Sequence, residues 1–477
     1  MLFNSIPFII FFPIVVVLYY LIPVRFRYIW LLFCSYFFYM CQDGAFLTML
    51  IISTITTYLA GIGIEKASDK RTGRIIIAVT VAVNIGILAV FKFADPVLTL
   101  AHSDTRLNLT VPLGISFYTL QAISYIVDCY RGEVKAERNF LKYALFVSFF
   151  LTILSGPIQR GKFFLKELDL KAKLDLDNVK KGLIMMLWGF FLKIVISARL
   201  TIWIDTVYAD PYAYGGSVLC VTALVYVFLV YSDFEGYSNI AIGAAKILGI
   251  EMAANFGRPL LARNFSEFWK RWHIALSSWL RDYIYIPLGG SRKGKLRAYL
   301  NLIIVFTVSG LWHGANLTFL IWGLLNGLYQ VIGRILMPIR SKVYDFCRLA
   351  RCPRLHYLLQ ISCVVLLYAF SFIFFAAENV SAAWEVCKRI VNDFAPQALI
   401  NGQIFTVGLG KGNLLFAMVA LMILIASDIV CERRNVNVTG LMEHVPTIVR
   451  WGIYLTLVSM IVLSANLSMS EFIYAGM

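Results

Sequence analysis

The sequence predicts an all-α, polytopic integral membrane protein, and three observations carry that expectation. Hydrophobic residues make up 60% of the 477-residue chain and charged residues 15%, with a mean hydropathy of +0.76. That balance belongs to membrane chains rather than soluble domains. Apolar runs close to the ~20 residues that a helix needs to cross a bilayer recur along the chain. Lys and Arg, which outnumber Asp and Glu by 43 to 27, sit in short loops between those runs rather than along one soluble face, so the basic balance does not point to nucleic acid.

In chain order the runs fall near 3–22, 28–40, 45–63, 75–92, 111–128, 182–207, 217–232, 298–336, 357–377, 413–430 and 451–467, about eleven spans by length. The 298–336 stretch has room for two short ones. Loops 23–28, 65–74, 131–142, 340–356 and 432–450 are rich in Lys and Arg, while 41–44, 208–216 and 378–412 are poor. The positive-inside rule then places the N-terminus outside the cytoplasm, and continued alternation places the tail from Ser468 to Met477 outside as well. Residues 143–157 are flanked by basic segments on both sides and end in Ser155-Gly156-Pro157. A re-entrant segment fits them better than a span. The apolar run begins at Leu2 with no Lys or Arg before Arg25, so the first segment is expected to stay as a membrane helix rather than be cleaved. The nine cysteines lack C-x-x-C spacing and nearby histidines, and read as packing residues with no metal site. No internal repeat or linker marks a second domain, so 1–477 is expected to be one membrane-embedded domain.

Chemistry is expected where ionisable groups meet apolar surroundings. Phe265, Trp269, Trp272, His273, Leu276, Leu280 and Tyr283 share one side of a continuous helix, with Glu267, Lys270, Arg271, Ser278, Arg281 and Asp282 opposite. This helix is expected to lie at the cytoplasmic interface, with His273 pointing inward. For a lone histidine a core role, bonded to a backbone carbonyl, competes with a functional one. Ser309-Gly310-Leu311-Trp312-His313-Gly314-Ala315-Asn316 lies in a run with no Asp, Glu, Lys or Arg between Arg297 and Arg334. An ionisable group at membrane depth is costly, so His313 reads as functional, with a packing histidine as the alternative. Gly310 and Gly314 would let another backbone approach, or break the helix. A near-neutral pKa lets histidine take a proton from a hydroxyl and return one to a leaving thiolate.

Trp272 and Trp312 fit either a channel wall or ordinary aromatic packing. The loop carrying Arg292, Lys293, Lys295 and Arg297 suits phosphates or an acidic carrier, and positive-inside anchoring explains it equally well. Asp233 and Glu235 end an apolar run, and their spacing points them to different faces. No nucleophile elbow, phosphate loop or metal-ligand cluster is present in the sequence. A transporter would call for internal repeats and mid-membrane carboxylates or arginines, neither of which is expected here.

Five segments taken together, Tyr231 to Ile242, Asn255-Phe-Gly-Arg-Pro, Glu267 to His273, Trp279 to Gly290 and Gly310 to Asn316, closely resemble membrane-bound O-acyltransferases, in particular the bacterial alginate O-acetyltransferase branch. The similarity extends along the chain, with core motifs at about 110–340 and C-terminal helices and an outward tail at 357–477. The resemblance implies a helical ring around a tunnel in the cell membrane. It implies an acetyl donor, acetyl-CoA or an acyl carrier protein, arriving from the cytoplasm as a co-substrate, with no bound cofactor. It implies transfer to an extracytoplasmic polysaccharide through an extracytoplasmic acetyltransferase or esterase-like partner. By the same resemblance His313 is the catalytic histidine and His273 its support; Trp272, Trp312, Asn316, Arg292 and Lys293 are candidate donor or substrate contacts. The ending Phe472 to Met477 is similar to a family tail whose tyrosine carries the acyl group. This makes Tyr474 a candidate acceptor, with an aromatic interface anchor as the alternative. D-alanyl transfer to teichoic acid is the related alternative activity.

Overall fold

The computed structural model describes residues 1–41, 44–100, 107, 109–154, 156–170, 173–402, 404 and 407–464. Tyr474 and the rest of the expected outward tail lie outside them. Among the described residues every regular element is a helix. In chain order these are α1 (Ile6–Leu21), α2 (Arg27–Met40), α3 (Leu47–Lys66), α4 (Lys70–Leu100), α5 (Ile115–Arg131), α6 (Phe140–Ser148), α7 (Phe150–Ile153), α8 (Gly161–Asp169) and α9 (Leu176–Phe190). A π-helical segment, Phe191–Ser197, leads into α10 (Ala198–Ala209) and then α11 (Gly216–Ile247). Besides short 3-10 turns, the remainder is α12 (Phe265–Arg271), α13 (Ile274–Leu280) with a second π-helical segment, Arg281–Tyr285, directly after it, α14 (Lys295–His313), α15 (Leu317–Ile335), α16 (Met337–Phe346), α17 (Pro353–Ala376), α18 (Val380–Asn392), α19 (Gly410–Arg434), α20 (Val438–Glu443) and α21 (Thr447–Ser464).

Eight helices among the described residues are long and apolar enough to cross a membrane, or nine if α15 and α16, bent by 59°, count as one. The chain is a multi-pass membrane protein. Three of the expected spans are shorter helices, of 16 residues for α1, 14 for α2 and 17 for α5. Expected run 298–336 is indeed two helices, α14 and α15. Run 217–232 is longer than expected, since α11 continues to Ile247 and carries Asp233 and Glu235 inside the helix rather than at its end. Loop 378–412, read as irregular, contains α18, and loop 340–356 contains most of α16. Asparagine starts several of these helices. Asn139, Asn264, Asn316 and Asn379 each cap an N-terminus by accepting a backbone N–H with the side-chain oxygen, which satisfies donors that the first turn leaves open.

Contacts group the chain into two compact units. Among the described residues one comprises 1–190 and 236–254, and the other 191–235 and 255–464. In the first, the stretch expected to be re-entrant is two short helices, α6 and α7, broken at Phe149 and buried from Tyr143 through Leu154. Its polar groups are met by neighbours: Tyr143 Oη donates to Thr57 Oγ1 at 2.7 Å, and Gln121 Nε2 donates to the Phe146 carbonyl at 2.8 Å. A backbone break at this depth is tolerated when protein surrounds it.

The second unit contains the α14–α15 hairpin. A Cβ added to Gly310 would lie 2.3 Å from the Phe319 carbonyl, and one added to Gly323 would lie 2.3 Å from the Phe306 carbonyl. Glycine at both positions is what lets the two backbones touch. The expectation that Gly310 and Gly314 admit a close backbone or break the helix is met in both forms, because Gly310 admits α15 and α14 ends at Gly314.

Candidate active site

His313 is the last residue of α14, 3% exposed. Its imidazole is enclosed by rings, with centroids at 5.1 Å to Trp322, 5.1 Å to Phe375, 6.4 Å to Phe319 and 4.9 Å to Trp312. The histidine therefore stands at one end of its span, at the hairpin turn, rather than midway along an uninterrupted run. Its burial comes from α15 and α17, which the sequence pattern of α14 alone does not reveal. Four residues earlier, on the same helix face, Ser309 is 1% exposed.

His273 is also buried, at 2% exposure, as the amphipathic pattern suggested, but the helix that was to carry it does not exist as one piece. α12 ends at Arg271 and α13 begins at Ile274, with His273 in the left-handed region at φ 43° and ψ 56°. The backbone around it pairs with the preceding segment: Ile274 N–H donates to the Asn255 carbonyl and Gly257 N–H to the Arg271 carbonyl, both at 2.8 Å. These bonds compensate the break and hold a conformation that costs a non-glycine residue roughly 1–3 kcal/mol. The imidazole partner is the Asn255 side chain rather than a backbone carbonyl, with Nδ1 3.0 Å from Oδ1. Asn255 Oδ1 also accepts the Ala275 N–H at 3.3 Å, which marks it as the amide oxygen. His273 Nδ1 is therefore the donor, and Nε2 carries the lone pair. Nε2 has no hydrogen-bond partner among the described residues. Burial pushes the His273 pKa down to about 3, so the ring is neutral at physiological pH.

Trp312 links the two histidines, with its ring 6.2 Å from His273 and 4.9 Å from His313. Phe234 closes another side of His273 edge-on at 4.5 Å. Trp272, 2% exposed, stacks on Phe268 at 5.4 Å and meets Tyr368 at 5.2 Å. It forms part of the aromatic wall in the same unit. Among the sequence candidates, then, His313, His273, Trp312 and Trp272 come together.

The remaining candidates do not join them. Asn316 is exposed and caps α15, accepting the Thr318 N–H and donating Nδ2 to the Glu378 carbonyl. Arg292 and Lys293 are exposed in the turn before α14. They sit at the opposite end of a helix whose rise of ~1.5 Å per residue separates Lys295 from His313 by about 27 Å. They touch nothing at the histidines, and their place is that of a surface facing one side of the span. Tyr474 lies outside the described residues.

Several residues of this unit had been given no role at the site from the sequence. Asn255 orients His273, as above. Glu432 Oε2 accepts Arg258 Nε at 2.8 Å and Oε1 accepts Arg271 Nη2 at 2.9 Å, tying both strands of the His273 knot to α19. Arg258 is itself left-handed at φ 56°. Tyr231 Oη donates to Asp428 Oδ2 at 2.9 Å. Lys193 and Asp233, each 1% exposed, form an ion pair at 2.5 Å. Lys193, Arg199, Asp233 and Asp428 are all buried within helices long and apolar enough to cross a membrane, so such helices carry more ionisable groups than the sequence reading allowed for. Lys193 could have been flagged as a cation inside an apolar run. Its partner was not legible, because 40 residues separate the two.

An all-helical, multi-pass membrane protein with two buried histidines joined by a tryptophan ring is the class that fold and site define. A model of the membrane-bound O-acyltransferase family matches residues 133–370. A probable alginate O-acetylase of Pseudomonas aeruginosa is 33% identical over 88% of this chain and 81% of its own length. The peptidoglycan O-acetyltransferase of Helicobacter pylori is 33% identical over 76% of this chain and 73% of its own. The teichoic acid D-alanyltransferase of Lacticaseibacillus rhamnosus is 27% identical over 70% and 84%. The chain belongs to the membrane-bound O-acyltransferase family, and it is an enzyme of that kind.

Proposed function

We propose that this O-acyltransferase moves an acetyl group from a cytoplasmic thioester to hydroxyls of an extracytoplasmic polysaccharide, with His313 as the general base. The observation that carries the reading is the buried pair: His313 at the end of α14, and His273, each with the Trp312 ring beside it, and His273 Nε2 without a hydrogen-bond partner among the described residues. Relatives named for alginate and peptidoglycan O-acetylation support both the acetyl group and the polymer acceptor.

The chemistry balances without an outside proton. The His313 imidazole takes the proton of the attacking hydroxyl as its oxygen bonds to the thioester carbonyl carbon. The tetrahedral intermediate then expels the thiolate, which recovers that proton from the imidazolium. Acetyl-CoA or an acyl carrier protein is the donor, and the exposed basic turn at Arg292 and Lys293 suits the phosphates of either. His273 supports the step as a neutral hydrogen-bond acceptor. Tyr474 accepts the acyl group first and hands it to an esterase-like partner, with both termini outside the cytoplasmic membrane.

His313→Ala at unchanged membrane insertion is expected to abolish acyl transfer, and retained transfer overturns the reading. For the relay, intact mass of the C-terminal peptide under turnover is expected to show an acyl adduct on Tyr474. Absence of the adduct together with full activity of Tyr474→Phe rules the relay out.

A further inference from the structure

We infer that the buried Lys193–Asp233 ion pair is a positioning device for His273, acting through the ring of Phe234. The inference rests on the reading above, in which His273 works beside His313. Asp233 Oδ1 accepts Lys193 Nζ at 2.5 Å and Ser197 Oγ at 2.6 Å, so one carboxylate oxygen gathers two donors from a single π-helical segment, Phe191–Ser197. All three side chains are 1% exposed or less. The next residue along α11, Phe234, is 0% exposed and meets the His273 imidazole edge-on, at 4.5 Å and 85°.

Charge in this position needs a reason. An ion pair taken out of water loses its hydration, and apolar side chains of similar volume often pack there at no loss of stability. What an ion pair adds over an apolar contact is direction, because a carboxylate bonded to an ammonium and a hydroxyl accepts one register of the helix that carries it. Register matters here because α11 is continuous through this turn. A slip of one residue swings each side chain by roughly 100° around the helix axis, which would carry Phe234 off the imidazole. The π segment reinforces this, since a widened turn inside a helix is an uncommon feature that tends to mark functional positions. Three residues before Phe234, Tyr231 bonds Asp428 on α19, so the same turn is pinned at a second point.

For His273 the two constraints are complementary. Asn255 holds Nδ1 at 3.0 Å and fixes one edge of the ring. Phe234 supports the ring from the side. Together they leave Nε2, buried and without a hydrogen-bond partner among the described residues, as the edge to meet a reacting group. Lys193 and Asp233 act on the imidazole through the helix turn that carries Phe234.

The test is a double-mutant cycle on the full-length chain in proteoliposomes, with acetyl-CoA as donor, hydroxyls of a supplied alginate oligosaccharide as acceptor and free thiol release as the signal. Lys193→Met/Asp233→Asn removes both charges and leaves none buried alone. It is expected to lower kcat by about tenfold to a hundredfold, the scale of a misplaced catalytic group, with KM within about twofold of the parent. Phe234→Leu, with the ion pair intact, is expected to lower kcat similarly. Combining them is expected to add little further loss, because both act on one contact. Losses that multiply, or a charge-free variant with parental kcat, overturn the inference. If the charge-free variant does not insert, Ser197→Ala serves. Its loss of about threefold in kcat is expected to vanish in the Phe234→Leu background, and an equal loss in both backgrounds overturns the proposal. His313→Ala separates the two levels of the argument: activity there sinks the broader reading, while an inactive His313→Ala with multiplying losses sinks the positioning role alone. If the parent releases no thiol from acetyl-CoA, the donor assignment fails, and the same cycle is run with an acetylated carrier protein.

Discussion

Replacing Asn255 by aspartate would place a carboxylate where a neutral amide now meets His273. Burial holds the imidazole pKa at about 3, and the amide oxygen at 3.0 Å accepts its Nδ1–H without adding charge. A unit charge at ~4 Å interacts with the imidazolium by about 4 kcal/mol at an effective dielectric constant of ~20. At ~1.4 kcal/mol per pH unit this is about three units, which brings the imidazole from about 3 to about 6. Below that midpoint Nε2 carries a proton and can no longer accept one, so activity falls as the pH drops. The assay is kcat for thiol release between pH 5 and 9 in proteoliposomes. Asn255→Asp is expected to show an acid limb near pH 6, whereas His273 of the parent contributes none in that range. Superimposable profiles would refute the account of His273 as a neutral base-side partner. Asn255→Leu provides the stability counterpart. It strips the acceptor from His273 Nδ1 and from the Ala275 N–H, and at ~1–3 kcal/mol for each buried unsatisfied donor the loss is about 2–6 kcal/mol, read from the inactivation midpoint in detergent.

Other outcomes follow from the same contacts. The folded pKa of His273 lies below its solution value of 6.5, so the stability from burying the neutral ring is complete above pH 6.5 and is lost as pH falls toward 3. At ~1.4 kcal/mol per unit the loss is about 2 kcal/mol at pH 5, and His273→Gln is expected to flatten that dependence in thermal inactivation. Gly323→Ala drives a methyl group to 2.3 Å from the Phe306 carbonyl and is expected to cost about 1–3 kcal/mol by overpacking. Gly333→Ala on the same helix, with nothing within 4 Å, is expected to change little in the same measurement. Glu432→Gln weakens the links to Arg258 and Arg271 and is expected to cost about 1–3 kcal/mol, with kcat falling more than KM rises because the His273 knot loosens.

Legibility differed by the range of the interaction. Helix content and the order of the spans were readable because hydropathy and helical periodicity are local, and the two histidines stood out as polar groups in apolar company. The amphipathic pattern of 265–283 correctly buried Trp272 and His273 but hid the break between α12 and α13. A left-handed residue changes the chain direction without disturbing the 3.6-residue spacing on either side. The end of α11 was misplaced because Asp233 and Glu235 looked like the edge of the membrane. In fact Asp233 is paired and hydrogen-bonded, by Lys193 and Ser197, and a paired charge can be buried where an isolated one cannot.

Taken alone, the sequence determined that this is a multi-pass helical membrane protein, which family motifs it carries, and that His313 and His273 are the groups to watch. Apolar runs and short motifs encode these things without reference to distant residues. Tertiary structure decided how those groups are held. It brought Asn255 to His273, Trp312 beside His273 as well as His313, and Trp322 and Phe375 around His313. It also separated the Arg292–Lys293 turn from the histidines by the length of α14. Tautomer, charge state and orientation of an imidazole depend on which partner lies within about 3 Å, and such partners come from segments whose separation along the chain carries no local signal.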